Sequence, residues 1–251
     1  MKASRRTTVR EAVYGQQGLR LRPLTRFQRV SDPDFSSVSL LLHMDGTNGS
    51  TTFTDSSSNA LTVTANGNAQ ISTAQSKWGG ASGSFDGSGD YLDLTDAGSV
   101  LTLSADFTLE LWAYFNSLSG IQVIAQSVWG HGSGALALWH HVDYSNKLSL
   151  WVESYNTSAP LIAGTTTLSV NTWYHIAVTR SGNNWALFLN GSSEGTATSS
   201  AAVTRPIKRV GAYVDPSNTT LYFLNAYTDD LRITKGVSRA IVLPTGPFPN
   251  F

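Results

Sequence analysis

Residues 171–191 read NTWYHIAVTRSGNNWALFLNG, and this stretch decides the architecture. Two apolar runs, 173–179 and 185–189, flank Arg180-Ser-Gly-Asn-Asn184, a segment of turn formers. In the first run Tyr174, Ile176 and Val178 alternate with His175, Ala177 and Thr179. In the second, Trp185, Leu187 and Leu189 alternate with Ala186 and Phe188. A side-chain period of two, bounded by Gly and Asn, predicts a β-hairpin with one buried face. Asn190-Gly191 then supplies residues that tolerate positive φ at the next turn.

Outward from the hairpin the same signal repeats. The run 38–44 (VSLLLHM) reads as a continuous apolar strand, and 61–65 and 70–72 as short alternating ones. Gly87-Ser-Gly-Asp90 turns the chain between Ser84-Phe85-Asp86 and 91–94. In 107–115, Phe107, Leu109, Leu111, Ala113 and Phe115 share one face; Thr108, Glu110, Trp112 and Tyr114 share the other. Further strands are expected over 121–127, 135–142, 147–155, 207–210, 221–224 and 228–234. The proline-rich end, 244–251, cannot enter a sheet interior and is expected on the surface.

The totals fit one large all-β domain with an appendage. A chain of 251 residues suits a single sandwich of roughly 200–250 residues. Cysteine is absent, which excludes disulfides and is compatible with folding inside a cell. Formal net charge is zero but unevenly spread. Residues 1–31 carry eight basic residues (Lys2, Arg5, Arg6, Arg10, Arg20, Arg22, Arg26 and Arg29) against Glu11, a net of +7; the remainder has nine basic and sixteen acidic residues, a net of −7. Residues 1–37 therefore read as a basic arm ending in a linker at Ser31-Asp-Pro-Asp-Phe-Ser-Ser37, and 38–251 as the globule. Free in solution such an arm is a solvated tail; bound, it is an anchor on another chain. No run is long or apolar enough to span a membrane as a helix, and the basic start lacks the apolar region of a signal peptide.

Three blocks carry a family resemblance: the central hairpin, GASGSFDGSGDYLDL at 80–94, and AYTDDLRITKGVSR at 226–239. Together they resemble laminin-G-like domains of the concanavalin-A-like lectin/glucanase superfamily. The resemblance implies a two-sheet antiparallel jelly-roll sandwich carrying an extended basic N-terminal arm. It does not fix a ligand, because one fold hosts many functions.

Catalysis is not expected. Glucanases of the superfamily place carboxylates in a Glu-x-Asp-x-x-Glu run, since glycoside hydrolysis needs an acid and a base or nucleophile about one bond. Here Glu11, Glu110, Glu153 and Glu194 stand apart from any such run. The family often holds a calcium ion on loop carboxylates and carbonyls. Asp229 and Asp230 match the acidic pair before the last strand and Asp45 the acid after the first, so Asp45 with one of the pair is the candidate calcium site. Alternatively, these aspartates cap turns and pair with Arg232 or Arg239. His140 and His141 fall on opposite faces of one strand and cannot chelate together.

A carbohydrate site is the second candidate. Trp112 and Tyr114, Trp139 and His141, and Trp151 and Tyr155 lie on the non-core faces of successive strands. If those strands adjoin, they form an aromatic platform for sugar rings, with Glu153 and His175 as hydrogen-bonding groups. The competing reading has that face covered by loops, the arm or a neighbouring subunit. For the arm, docking on an acidic protein surface explains Arg5, Arg6, Arg10, Arg20, Arg22, Arg26 and Arg29 better than nucleic acid does, because stacking groups are few and the globule is acidic.

The blocks LLLHMDGTNGSTTFTDSSSN and YTDDLRITKGVSRAIVLPTGPFPNF, with the GASGSFDGSGDYLDL region, are also similar to laminin-G-like domains of tailed-bacteriophage virion proteins. That similarity implies a non-enzymatic, homo-oligomeric protein of the virion surface. It would be a head-decoration protein held by its arm on a major capsid protein or tail protein and able to bind host-surface glycan. The alternative is a receptor-binding tail fibre tip.

Overall fold

The computed structural model describes residues 31–96, 98–127, 134–141, 145–152, 159–215 and 217–251. The arm arginines, Glu153 and Tyr155 lie outside these residues. Strands follow in the order β1 (Val38–Leu42), β2 (Val63–Asn66), β3 (Gln70–Ser72), β4 (Ser82–Asp86), β5 (Tyr91–Leu94), β6 (Phe107–Phe115), β7 (Gln122–Ser127), β8 (Leu136–His141) and β9 (Lys147–Val152). They continue as β10 (Ile162–Ala163), β11 (Trp173–Ser181), β12 (Asn184–Leu189), β13 (Ser192–Thr198), β14 (Ile207–Val210), β15 (Tyr213–Val214), β16 (Thr220–Leu221) and β17 (Asn225–Lys235).

Among the described residues the strands form two antiparallel sheets packed as a jelly-roll sandwich, plus a small ribbon. The larger sheet runs β13-β12-β11-β6-β17-β4-β3, with β1 also on β17; the smaller runs β10-β9-β8-β7-β14-β5-β2. The predicted hairpin is β11–β12, with Val178 opposite Leu187 and Ser181 opposite Asn184. Its alternation is realised as read: Ile176, Val178, Trp185 and Leu187 enter the main core together with Leu109 and Leu111 of β6 and Leu138 and Leu150 of the smaller sheet. β13 and β10 are additional edge strands, polar or very short, that local patterning does not mark.

β17 organises the larger sheet. It pairs with β6 along one side and with β4 and then β1 along the other. Its register against β6 shifts between Asp229 and Arg232, and Asp230 sits there at φ 50°. This β-bulge sends the neighbouring Asp229 and Asp230 to different partners.

Residues 31–37 are not a linker but part of the sandwich. The Asp32 amide donates to the Phe251 carbonyl at 3.0 Å, and Phe35 packs on Val38, Leu41 and Phe248. The proline-rich end likewise lies on the outer face of the larger sheet, but there Phe248 is buried under the covering chain instead of lying exposed. Among the described residues no helix is long and apolar enough to cross a membrane.

Candidate functional site

The structure divides the expected platform between two faces. β6 and β11 belong to the larger sheet and β8 and β9 to the smaller, so the core lies between Trp112, Tyr114 and His175 on one side and Trp139, His141 and Trp151 on the other. Alternation shows which side chains leave the core; it does not show which sheet each strand joins.

On the larger sheet most of the non-core face is closed. Trp112 is 3% exposed: Trp78 meets it edge-on with centroids 6.1 Å apart, and the Lys77 ammonium lies 4.0 Å from its ring centroid. His175 is fully buried with Nε2 3.3 Å from Glu110 Oε2, so it is a structural group and not a ligand-facing one. Glu110 also accepts from Arg232 Nη2 at 2.6 Å, and Arg232 Nη1 donates to Asp32 at 2.6 Å. Arg239 completes the cluster on Asp32 and Asp34. Burial would raise the Glu110 carboxyl, but the His175 hydrogen bond and the Arg232 charge outweigh it and hold the group below the usual carboxylate range. Glu194 is held low in the same way: burial is overcome by hydrogen bonds from the amides and hydroxyls of Thr166 and Thr165. Neither described glutamate is poised as a general acid.

The acidic trio gathers only in part. Asp230 has both oxygens engaged, Oδ1 by His43 Nδ1 at 2.7 Å and Oδ2 by the Phe248 amide at 2.7 Å. Asp229 Oδ2 accepts from the Lys77 and Trp78 amides, whereas Oδ1 is buried without a hydrogen-bond partner. Burial pushes the Asp229 carboxyl up to about 7, with Asp230 and Asp45 adding to the shift. Asp45 feels the charges of His43 and Asp230 and is itself raised, chiefly by burial. Among the described residues no three His, Asp or Glu side chains are set to hold a metal ion. The geometry narrows the calcium candidate to Asp45 and Asp229 Oδ1. It also removes Arg232 and Arg239 as partners of the trio, since both are committed to Glu110, Asp32 and Asp34.

The smaller sheet carries an aromatic cluster centred on Trp139. Its ring lies parallel to that of His141 (5.9 Å, 3°), 5.5 Å from Trp151, edge-on to Tyr213 at 5.4 Å, and 5.9 Å from Tyr222. Trp139 and Trp151 are half-buried and Tyr222 is 40% exposed. Tyr213, on β15, and Tyr222, just after β16, were not anticipated from the sequence. The Gln126 side chain clamps both backbone groups of Val214 (2.9 and 3.1 Å), and the Val123 amide holds the Tyr222 carbonyl at 3.0 Å. Tyr222 adopts φ 53°, a left-handed conformation that is unusual for a bulky residue and costs roughly 1–2 kcal/mol. His140, on the opposite face of the same strand, points into the core as expected, where burial lowers it to about 4.

A search of curated protein sequences returns no match. A family model described as "Concanavalin A-like lectin/glucanases superfamily" (laminin G, type 3) matches residues 86–240. Among solved structures, the chain is similar to a botulinum neurotoxin DC binding domain in complex with SialylT (TM-score 0.59, 16% identity, 82% of this chain and 50% of that one). It is also similar to the DC binding domain in complex with rat synaptotagmin II (TM-score 0.60, 16% identity, 81% and 50%). A third is from botulinum neurotoxin type C, whose cell entry is described as dependent upon interaction with two ganglioside molecules (TM-score 0.59, 15% identity, 81% and 49%). The chain spans about half the length of these structures, and at such identity the likeness is one of fold.

Proposed function

The chain belongs to the laminin-G-type family of the concanavalin A-like lectin/glucanases superfamily, and from that premise we propose that it is a non-enzymatic carbohydrate-binding module. The observation that carries this reading is the Trp139 cluster, in which half-buried Trp139 and Trp151 and exposed Tyr222 share one outer sheet face. A pyranose offers an apolar C–H face and a rim of hydroxyls; partly exposed Trp and Tyr rings offer an apolar surface with polar tips. Backbone strain held at Tyr222 is of the kind that collects at ligand sites. The locked glutamates support the non-enzymatic part. That botulinum neurotoxin binding domains of this fold occur with SialylT or gangliosides supports a sugar on the scaffold.

The biological setting follows from the sequence resemblance to phage virion proteins and from the basic arm. The module acts at a virion surface as a head-decoration protein, present in many copies, anchored through its basic residues 1–30 to a major capsid or tail protein and facing host glycans. A tail fibre tip is the second reading.

A glycan array with the intact protein and the Trp139→Ala and Trp151→Ala variants tests the binding. At least one glycan bound by the intact protein and lost in both folded variants is the expected result; no binding by the intact protein, or every bound glycan retained in both variants, overturns the reading. Electron microscopy of particles tests the setting: density over the head supports decoration, density at the tail the fibre tip, and its absence from particles removes both.

A further inference from the structure

We propose a second carbohydrate-binding site, on the opposite sheet, that accepts a neutral glycan. Its floor is a ladder of rings across three adjacent strands. Trp173 of β11 is directly opposite Tyr114 of β6, and Tyr114 is directly opposite Tyr227 of β17. The Tyr114 ring lies 5.5 Å from Trp173 and 6.1 Å from Tyr227. All three are half-buried, in contrast to the closed rows beside them. With neighbouring strands about 4.8 Å apart, the floor is wide enough for about two hexose rings.

The two borders of this floor differ. Toward the covered part of the sheet stands a wall, Trp78 packed edge-on against Trp112. Toward the strand ends lies an amide rim. Asn225 is two residues before Tyr227 on the same strand and is half-exposed. The Asn116 amide donates to the Asn225 carbonyl at 3.0 Å, the Asn171 amide donates to the Phe115 carbonyl at 2.8 Å, and both residues are exposed. Rings beside uncharged groups that both donate and accept match the apolar face and hydroxyl rim of a hexose. The rim carries no charged side chain to pair with a sialic acid carboxylate, which fits an uncharged glycan.

This site is independent of the Trp139 cluster, because the core separates the two sheets. The test is affinity electrophoresis and ligand-detected NMR of the full chain with maltohexaose, cellohexaose, chitohexaose and galactomannan, with sialyllactose as the charged control. Trp173→Ala/Tyr227→Ala and Asn116→Ala are compared with Trp139→Ala, with folding checked by thermal melts. The expected result is binding of a neutral probe that falls at least about tenfold in Trp173→Ala/Tyr227→Ala, falls less in Asn116→Ala, and survives Trp139→Ala. Binding unchanged in folded Trp173→Ala/Tyr227→Ala, preference for sialyllactose, or no binding to any neutral probe overturns the proposal. Loss in Trp139→Ala alone supports the other face and overturns this one.

Discussion

Asp32 and Arg232 stand 200 positions apart in the chain, yet Asp32 Oδ2 and Arg232 Nη1 meet at 2.6 Å with both side chains buried. Arg232 simultaneously serves Glu110, and its guanidinium lies 3.8 Å from the centroid of the Phe248 ring. One cation thereby joins the opening segment, β6 and the chain end over the larger sheet. Removing it leaves Asp32 with Arg239 and Glu110 with His175 as the remaining partners, and breaking a buried pair on one side costs about 3–5 kcal/mol. Arg232→Ala is expected to lose stability of that order in urea unfolding at neutral pH. Asp32→Asn keeps a hydrogen-bonding group and should lose less, about 1–2 kcal/mol. A loss under about 1 kcal/mol in Arg232→Ala would show the network to be energetically idle.

Acid should weaken the fold through His140. Its folded value of about 4 lies below the ordinary histidine value of 6.5, because burial disfavours the imidazolium. Between those values the unfolded chain takes up a proton that the folded one refuses. Stability therefore falls as pH falls through this window, at up to about 1.4 kcal/mol per pH unit. Asp32 and Glu110, held below the usual carboxylate range, add losses at still lower pH. Chemical unfolding across the window should show a shallower slope for His140→Phe than for the parent chain; equal slopes would exclude His140 as the cause.

The sequence reading reached the strands and the inward faces because both are local. Period-two alternation in 107–115 and 173–179 is visible within nine residues, and those faces do form the core. What covers the outward faces is not local. Glu110 and His175 look solvent-facing by type, yet they lie beneath residues from both ends of the sandwich. The split of the platform had the same origin, since pairing of β6 with β11 and β17 depends on contacts distant in sequence. Trp173 carried a usable signal, sharing parity with His175. Tyr227 did not, because it precedes the run 228–234 in which a strand was expected.

At Tyr222 stability and function should separate. The residue holds φ 53° while packing on Trp139 and Tyr213. Asn tolerates that conformation better, so Tyr222→Asn relieves strain while deleting a ring. The two effects offset, and the stability change is expected to stay within about 1 kcal/mol. Glycan binding at this face should nevertheless fall severalfold. Unaltered binding in this variant would remove Tyr222 from the site.

Asp229 offers a direct test of the calcium proposal. Folding raises its carboxyl to about 7, chiefly through burial, and leaves Oδ1 without a hydrogen-bond partner. The folded chain then binds a proton that the unfolded chain releases above the ordinary aspartate range. This contribution to stability is present at low pH and is lost as pH rises through about 7. Without metal, Asp229→Asn should therefore gain on the parent as pH rises from about 4 to about 7, at up to about 1.4 kcal/mol per pH unit, and keep that advantage unchanged near pH 8. Calcium coordinated by Asp45 and Asp229 opposes this loss. Binding to the ionised folded form stabilises by about 2.7 kcal/mol at a hundredfold excess over the dissociation constant. Millimolar calcium at pH near 8 should then raise the melting temperature of the parent chain and leave Asp229→Asn unmoved, with the shift reversed by chelator. A parent chain insensitive to calcium under those conditions removes the ion and leaves Asp229 as a buried acid that holds the Lys77–Trp78 turn through its two amides.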